Sequence, residues 1–220
     1  MEDRVKEQSG ERRTYRSPRR AERAAATRRA VLDAARDLFV ERGYRATTIA
    51  EIAGRARVSV DTVYAAVGRK PALLRELVET AISGGDRAVA AERRDYVVEV
   101  RAATSARDKI AIYAEAVADI QERMAPVFLA LRDAAGSEPG CASLWAEISE
   151  RRASNMRLFA ADLRATGDLR DDLTDDQVAD IVWSMNAAEY WVLLVRERGW
   201  TRDAFAAHLA DVWTRVLLPV

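Results

Sequence analysis

The chain has little of what most enzymes and secreted domains are built on. One cysteine, Cys141, among 220 residues excludes an internal disulfide framework and leaves no Cys/His cluster for a metal. Histidine also occurs once, at His208, with no nucleophile or carboxylate motif beside it. There is no H-E-x-x-H pattern, glycine-rich phosphate loop or G-x-S-x-G elbow. Catalytic residues, metals and cofactors are therefore all read as none, and the acidic turns Asp171-Asp172 and Asp175-Asp176 as solvated caps. Ten glycines and five prolines are few, strand-type alternation is missing, and alanine and arginine are abundant. Together these predict an all-α chain of about nine helices. No apolar run reaches the roughly 18–20 residues that span a membrane, and the arginine-rich start has no secretory apolar region. A soluble, cytoplasmic protein with no membrane partner is expected.

What is present is charge, unevenly placed. The 35 basic and 35 acidic residues cancel over the whole chain, but residues 1–76 hold 18 Lys+Arg against 11 Asp+Glu, and the remainder carries the matching acidic excess. The N-terminal third is thus the end suited to a polyanion. Residues 1–16 lack apolar periodicity and read as a basic, disordered arm. Arg12, Arg13, Arg16, Arg19 and Arg20 either follow phosphates or a minor groove, or belong to a solvated tail.

Two short helices joined by a tight turn are expected in residues 47–70, TTIAEIAGRARVSVDTVYAAVGRK. Thr48 and Glu51 have the spacing of a capping box, in which each side chain satisfies an orphan amide of the other residue. Ile49, Ile52 and Ala53 make the first apolar stripe. Ser59 caps the second helix, on which Val63 and Val67 face inward and Val60, Asp61, Thr62, Tyr64 and Ala65 remain on the outside. Two capped helices this close must cross steeply, the plan of a helix-turn-helix whose second helix enters the major groove of DNA.

Through LFVERGYRATTIAEIAGRARVSVDTVY…GRKPALL the chain resembles the TetR family of ligand-responsive transcriptional regulators, over about residues 25–77. Gly43-Tyr44, Thr47-Thr48, Ile52-Ala53, Val58-Ser59, Thr62 with Tyr64, Lys70 and Leu73-Leu74 fall at the family's spacing. Arg57 stands where the family usually has the turn glycine, Asp61 where it often has glycine, and Val67 where it has an aromatic. A left-handed Arg57 would cost roughly 1–2 kcal/mol. The resemblance implies that Lys70 contacts backbone phosphate. The residues assigned to DNA are Arg19, Arg20, Arg45, Thr47, Thr48, Arg57, Ser59, Val60, Asp61, Thr62, Tyr64 and Lys70. Tyr44 closes the small core or lends its hydroxyl to a phosphate.

The expected organisation is a helix-turn-helix domain over residues 17–69, a connecting helix over 70–85 and an effector-binding and dimerisation domain over 86–220. Ser17-Pro18 opens a first helix that Gly43 stops. Gly84-Gly85 reads as a hinge, Pro126 as a break between two helices, and residues 140–166 as one long helix. All five tryptophans lie in this second part. With its other aromatics and methionines they make an interior suited to an apolar or aromatic small-molecule effector. The candidate contacts are Tyr113, Phe128, Trp145, Phe159, Trp183, Asn186 and Tyr190, and each has plain core packing as its bland alternative. A helix from Thr174 to about Arg198 is apolar on nearly every side between Val178 and Val195, so it must be covered on more than one face. A second copy of the chain is the simplest cover, and the resemblance implies a homodimer built on the last two helices. Trp191, Phe205, Leu209 and Trp213 are assigned to that interface, with Ala206 and Ala210 as a close-approach strip. The resulting reading is a dimeric regulator, more often a repressor, of a palindromic double-stranded operator. The alternative is a helical ligand-binding protein of the same fold that no longer reads a specific operator.

Overall fold

The computed structural model describes residues 18–83 and 89–219. The basic arm, the Ser17 cap and the Gly84-Gly85 hinge expected from the sequence lie outside these residues. Among the described residues there is no strand. The helices are α1 (Pro18–Ala46), α2 (Ile49–Ala56), α3 (Val60–Ala66), α4 (Lys70–Ser83), α5 (Asp95–Ala102), α6 (Ala106–Ala135), α7 (Pro139–Arg164), α8 (Asp175–Met185), α9 (Ala188–Trp191) and α10 (Arg202–Leu217). A 3-10 turn at Ala91–Arg93 precedes α5, and a π-helical stretch at Val192–Glu197 follows α9.

In the N-terminal part, α1 supplies Val31, Ala35, Leu38 and Phe39 to a small core that Ile52 of α2 and Val63 of α3 complete, all fully or almost fully buried. Gly43 takes φ 79° and ψ 162°, a region closed to residues with a Cβ, so the regular helix ends there as its glycine implies. The chain then turns Tyr44 back onto Phe39, with ring centroids 5.3 Å apart. Arg28 of α1 ties the unit to α4, donating to Glu76 Oε1 at 2.6 Å and to the Ala66 carbonyl at the end of α3.

Helix α6 is the axis of the larger domain, and α1, α4, α5, α7, α9 and α10 all pack on it. It corrects the expected break at Pro126, because the proline sits inside one continuous 30-residue helix. An interior proline costs roughly 3 kcal/mol through its lost N–H and ring clash. Here Met124, Ala125, Val127, Phe128 and Leu131 are buried on both sides of it. At roughly 1.5–3 kcal/mol for each large apolar side chain, that burial outweighs the defect. Helix α5 was not foreseen from the sequence, although Tyr96, Val97 and Val100 have a helical i, i+1, i+4 spacing.

The apolar stretch after Thr174 does not form one helix to Arg198. It stops at Asn186, resumes as α9 after an extended Ala187 (φ −74°, ψ 148°), and bends by 47° across the break. A polar pair buried in the core fixes the interruption. Asn186 Nδ2 donates to the Tyr113 hydroxyl at 2.9 Å, and Gln121 Nε2 donates to the Asn186 carbonyl at 2.5 Å, so that carbonyl serves α6 instead of its own helix. Fused residues 106–135, a split after Met185 and the added α5 give ten α-helices among the described residues instead of about nine. No single helix is long and apolar enough to cross a membrane.

The expected dimer residues also need correction. Phe205, Leu209 and Trp213 are completely buried and Trp191 is 3% exposed, all within one subunit. The α10 stripe that carries Phe205, Leu209 and Trp213 packs on α6, where Trp213 lies 5.7 Å from Tyr113 between ring centroids, and Trp191 meets Phe205 edge-on at 4.9 Å. Ala206 is likewise buried. These periodic apolar positions fill the subunit's own core, and no side-chain surface remains on them for a partner.

Candidate functional site

The geometry of α2 and α3 follows from their caps. Thr48 Oγ1 accepts from the Glu51 amide at 3.2 Å while Glu51 Oε2 accepts from the Thr48 amide at 2.8 Å, so the capping box is formed. The Thr48 amide and hydroxyl both donate to Glu51 Oε2, at 2.8 and 2.9 Å, and hold that carboxyl below its usual pKa, with Arg42 helping. Ser59 Oγ accepts from the Thr62 amide at 3.1 Å and starts α3. Between the helices Arg57 is left-handed, at φ 57° and ψ 41°. It is the one non-glycine residue of positive φ among those described, and its amide closes onto the Gly54 carbonyl at 3.2 Å. The turn therefore keeps the shape a glycine would give it and carries a cation.

This leaves an outward row on α3. Val60 is 39% and Tyr64 47% exposed, Asp61 and Ala65 are exposed, and Thr62 is half-buried with its hydroxyl 2.8 Å from that of Ser59. Val63 is fully buried and Val67 packs against the core. Arg19 and Arg20 are exposed at the start of α1, and Arg45 and Arg57 are exposed near the turn. Several neighbouring arginines are neutralised within the domain, Arg42 by Glu51 at 3.0 Å and Arg55 by Glu41 at 2.6 Å. Arg45, Arg57 and the exposed Arg69 have no carboxylate partner among the described residues. Arg69 was missed in the sequence reading, where Lys70 took the role.

One assignment to DNA changes. Thr47 is 1% exposed, and its hydroxyl lies 2.9 Å from the Gly43 carbonyl and 3.2 Å from that of Leu38. It seals the end of α1 and cannot reach a ligand. Lys70 is half-buried with its ammonium 4.1 Å over the Tyr44 ring, and burial lowers its pKa. Tyr44 itself is buried next to the Cys141 thiol, and burial raises its phenol pKa further than that contact does. Of the two readings for Tyr44, the structure shows the packed one.

A cavity of about 520 Å³ opens in the larger domain between α4, α5, α6 and α7, within the roughly 300–1,000 Å³ range of small-molecule sites. Val97 and Val100 of α5, Val117, Met124 and Phe128 of α6, and Ile148, Met156 and Phe159 of α7 make its apolar wall. Tyr113, Gln121 and Asn186 form a polar floor, and Arg94, Arg151, Arg152 and Asn155 lie along the α5 and α7 side. Tyr113, Phe128, Phe159 and Asn186 thus line the cavity. Trp145, Trp183 and Tyr190 do not. Trp145 backs Phe128 at 4.5 Å between ring centroids, Trp183 backs the Arg152 guanidinium at 4.4 Å, and the Tyr190 hydroxyl is 2.7 Å from His208 Nε2. The arginines of the wall were not foreseen, because an arginine on a helix reads as a solvated residue until the facing helices are placed.

The cavity is wired to α4, the helix that follows α2 and α3. Arg151, in the cavity wall, donates to Glu79 at 2.7 Å. One turn earlier on α7, Glu147 takes a bidentate bond from Arg75, at 2.6 and 2.7 Å. Arg123 of α6 donates to the Ala81 carbonyl at 3.1 Å, and Ile82 itself touches the cavity.

Two capped helices joined by a tight turn stand on one side and a lined cavity on the other, and known proteins share this arrangement. Residues 31–77 match the family described as bacterial regulatory proteins, tetR family. This segment, α2 and α3 with the end of α1 and the start of α4, resembles that family. The fatty acid degradation regulator FadR from Bacillus halodurans is similar over 85% of this chain and 94% of its own, with a TM-score of 0.69 at 16% identity. A regulator from Saccharomonospora viridis, solved in complex with choline, covers 88% and 98% with a TM-score of 0.64 at 20% identity. FadR from Bacillus subtilis, in complex with stearoyl-CoA, covers 84% and 96% with a TM-score of 0.65 at 17% identity. At these identities the likeness is one of fold. No curated protein sequence matches the chain. The fold shared with these regulators thus extends over the larger domain, beyond the 31–77 segment that carries the sequence match.

Proposed function

We propose that this chain is a homodimeric transcriptional repressor that leaves a palindromic operator when a small apolar or aromatic molecule fills the α4–α7 cavity. The observation that carries this reading is the direct connection of the cavity wall to α4, through Arg151–Glu79 and Ile82. A ligand that alters the α7 wall acts on the helix next to the recognition helix through an ion pair and a packed side chain. The two solved complexes, with choline and with stearoyl-CoA, support small-molecule binding by this fold. The cavity needs a differential affinity of about 5 kcal/mol between the two dimer states to reverse their populations.

On the DNA side, α3 enters the major groove with Val60, Asp61 and Tyr64 toward base edges. Arg45, Arg57, Arg69 and Lys70 serve phosphates, which position and do not specify. Two copies related by a two-fold axis place α3 in half-sites roughly 34–36 Å apart, or farther if the bodies hold them wider. With the periodic residues of α10 committed to the core, the partner-facing surface is carried by Leu193, 51% exposed on the π-helical stretch, and by the exposed Ala204 and Ala207 of α10.

Selection of bound sequences from a random duplex pool at two salt concentrations tests the reading. A single inverted repeat, bound with steep salt dependence, supports it. Binding with no preferred sequence supports instead a ligand-binding protein that has kept the fold without operator reading, the direction in which the exposed acidic Asp61 on α3 points. A monomer at micromolar concentration would rule out the dimer mechanism.

A further inference from the structure

The cavity is apolar over most of its wall, yet three of its lining residues carry buried polar atoms that the protein leaves unanswered. Gln121 and Asn186 are 2% and 3% exposed, and Gln121 Oε1 and Asn186 Oδ1 accept no hydrogen bond among the described residues. Opposite in kind is Arg152 of α7, whose Nη2 donates to the Trp183 carbonyl at 3.2 Å while its Cζ lies 4.4 Å from the Trp183 ring centroid. Its Nε is buried and has no acceptor, and no carboxylate lies within ion-pair distance of the guanidinium among the described residues.

The other charges around the cavity do not fill this role. Asp162 is paired with the buried Lys109 at 3.0 Å, and Arg151 with Glu79 at 2.7 Å. Glu189, the carboxylate that acts on Arg152 from a distance, is held by Arg132 at 3.1 Å. Arg94 and Arg101 add two further cations to the lining, against the single exposed Glu92. A half-buried guanidinium without a counter-ion is costly, and its partner in proteins is a carboxylate, phosphate or similar anion. Burial already pulls the Arg152 pKa below the ordinary guanidinium value, so an anion beside it has an unmet charge to pair with.

We infer that the effector is an amphipathic organic acid, with its anionic group at Arg152, an N–H or hydroxyl toward Gln121 and Asn186, and its apolar body against Val117, Met124 and Phe159. This rests on the cavity being the effector site, and it narrows the apolar or aromatic ligand of that reading to one with an anionic end. Trp183 is then a positioning residue, holding the guanidinium plane from behind.

Two fluorescent probes separate the two ideas. 8-Anilinonaphthalene-1-sulfonate and N-phenyl-1-naphthylamine share one ring system and one anilino N–H, and differ by the sulfonate. The full chain should bind the anionic probe at least about tenfold more tightly. Arg152→Gln should abolish that preference while binding the neutral probe within about twofold of the wild type, which also reports that the cavity is intact. Arg152→Lys should keep most of the preference. Equal binding of both probes by the wild type, or a preference that persists in Arg152→Gln, overturns the anionic effector and leaves the cavity reading standing. If neither probe binds the wild type, the cavity is not a ligand site and both readings fail. Should Arg152→Gln lose its helical circular dichroism, the wild-type ratio and the Arg152→Lys ratio still decide.

Discussion

Replacing Arg57 by glycine should stabilise the protein and weaken its hold on DNA at the same time. At φ 57° and ψ 41° the Cβ of Arg57 crowds the following carbonyl, at a cost of roughly 1–2 kcal/mol relative to glycine. Glycine gives part of this back through a more flexible unfolded chain, roughly 0.4–1 kcal/mol. The Arg57 side chain is exposed and makes no ion pair among the described residues, so little else is lost. The net gain is about 0.5–1 kcal/mol, equivalent to roughly 1–4 °C in Tm for a chain of this size. Urea denaturation at one fixed protein concentration measures it, with Arg57→Ala as the control that removes the cation but keeps the Cβ. The same two variants should each lower the slope of log K against log salt for duplex DNA by about one phosphate contact. If Arg57→Gly proves no more stable than Arg57→Ala, the left-handed turn is not strained. If neither variant changes the salt slope, the turn does not face the backbone.

Thr47→Val should cost about 1 kcal/mol of stability and leave the DNA salt slope unchanged, because its hydroxyl serves only the Gly43 and Leu38 carbonyls; a weakened salt slope would return it to the DNA-facing set. Cys141 is completely buried and burial raises its thiol pKa, so 5,5′-dithiobis(2-nitrobenzoate) at pH 8 should label it in denaturant and not in the folded protein. Leu209→Ala should destabilise the subunit by roughly 2–5 kcal/mol. Leu193→Asp should leave subunit helicity unchanged and shift the chain to monomer in sedimentation experiments, whereas an unchanged dimer would move the interface elsewhere.

The DNA-facing element was legible because its signals are local. Thr48 with Glu51, Ser59 with Thr62, and Gly43 each specify a cap or a stop within four residues, and all three stand where their spacing puts them. The long-range choices were less readable. Pro126 is a strong local breaker, yet the burial of Met124 and Phe128 on either side overrides it, and that burial appears only once α6 is surrounded by its neighbours. Phe205, Leu209 and Trp213 show a clean periodic stripe, but a stripe states that a face is covered, not whether the cover is the same chain or a second copy. The cavity shows the same limit in reverse. Tyr113, Phe128, Phe159 and Asn186 stood out as large or polar residues in an apolar context, whereas Arg151 and Arg152 resemble any exposed helix surface until α4 and α8 are packed against α7.

The proposed switch requires that occupancy of the α4–α7 cavity and binding of DNA by α3 oppose each other. A titration of the chain onto its selected duplex by fluorescence anisotropy tests this, with and without 8-anilinonaphthalene-1-sulfonate at a concentration that fills the wild type and leaves Arg152→Gln mostly empty. The wild type should lose DNA affinity by about tenfold or more, in the range of ordinary coupling energies, and the variant should change little. A DNA affinity that the bound probe leaves unchanged in the wild type would contradict it.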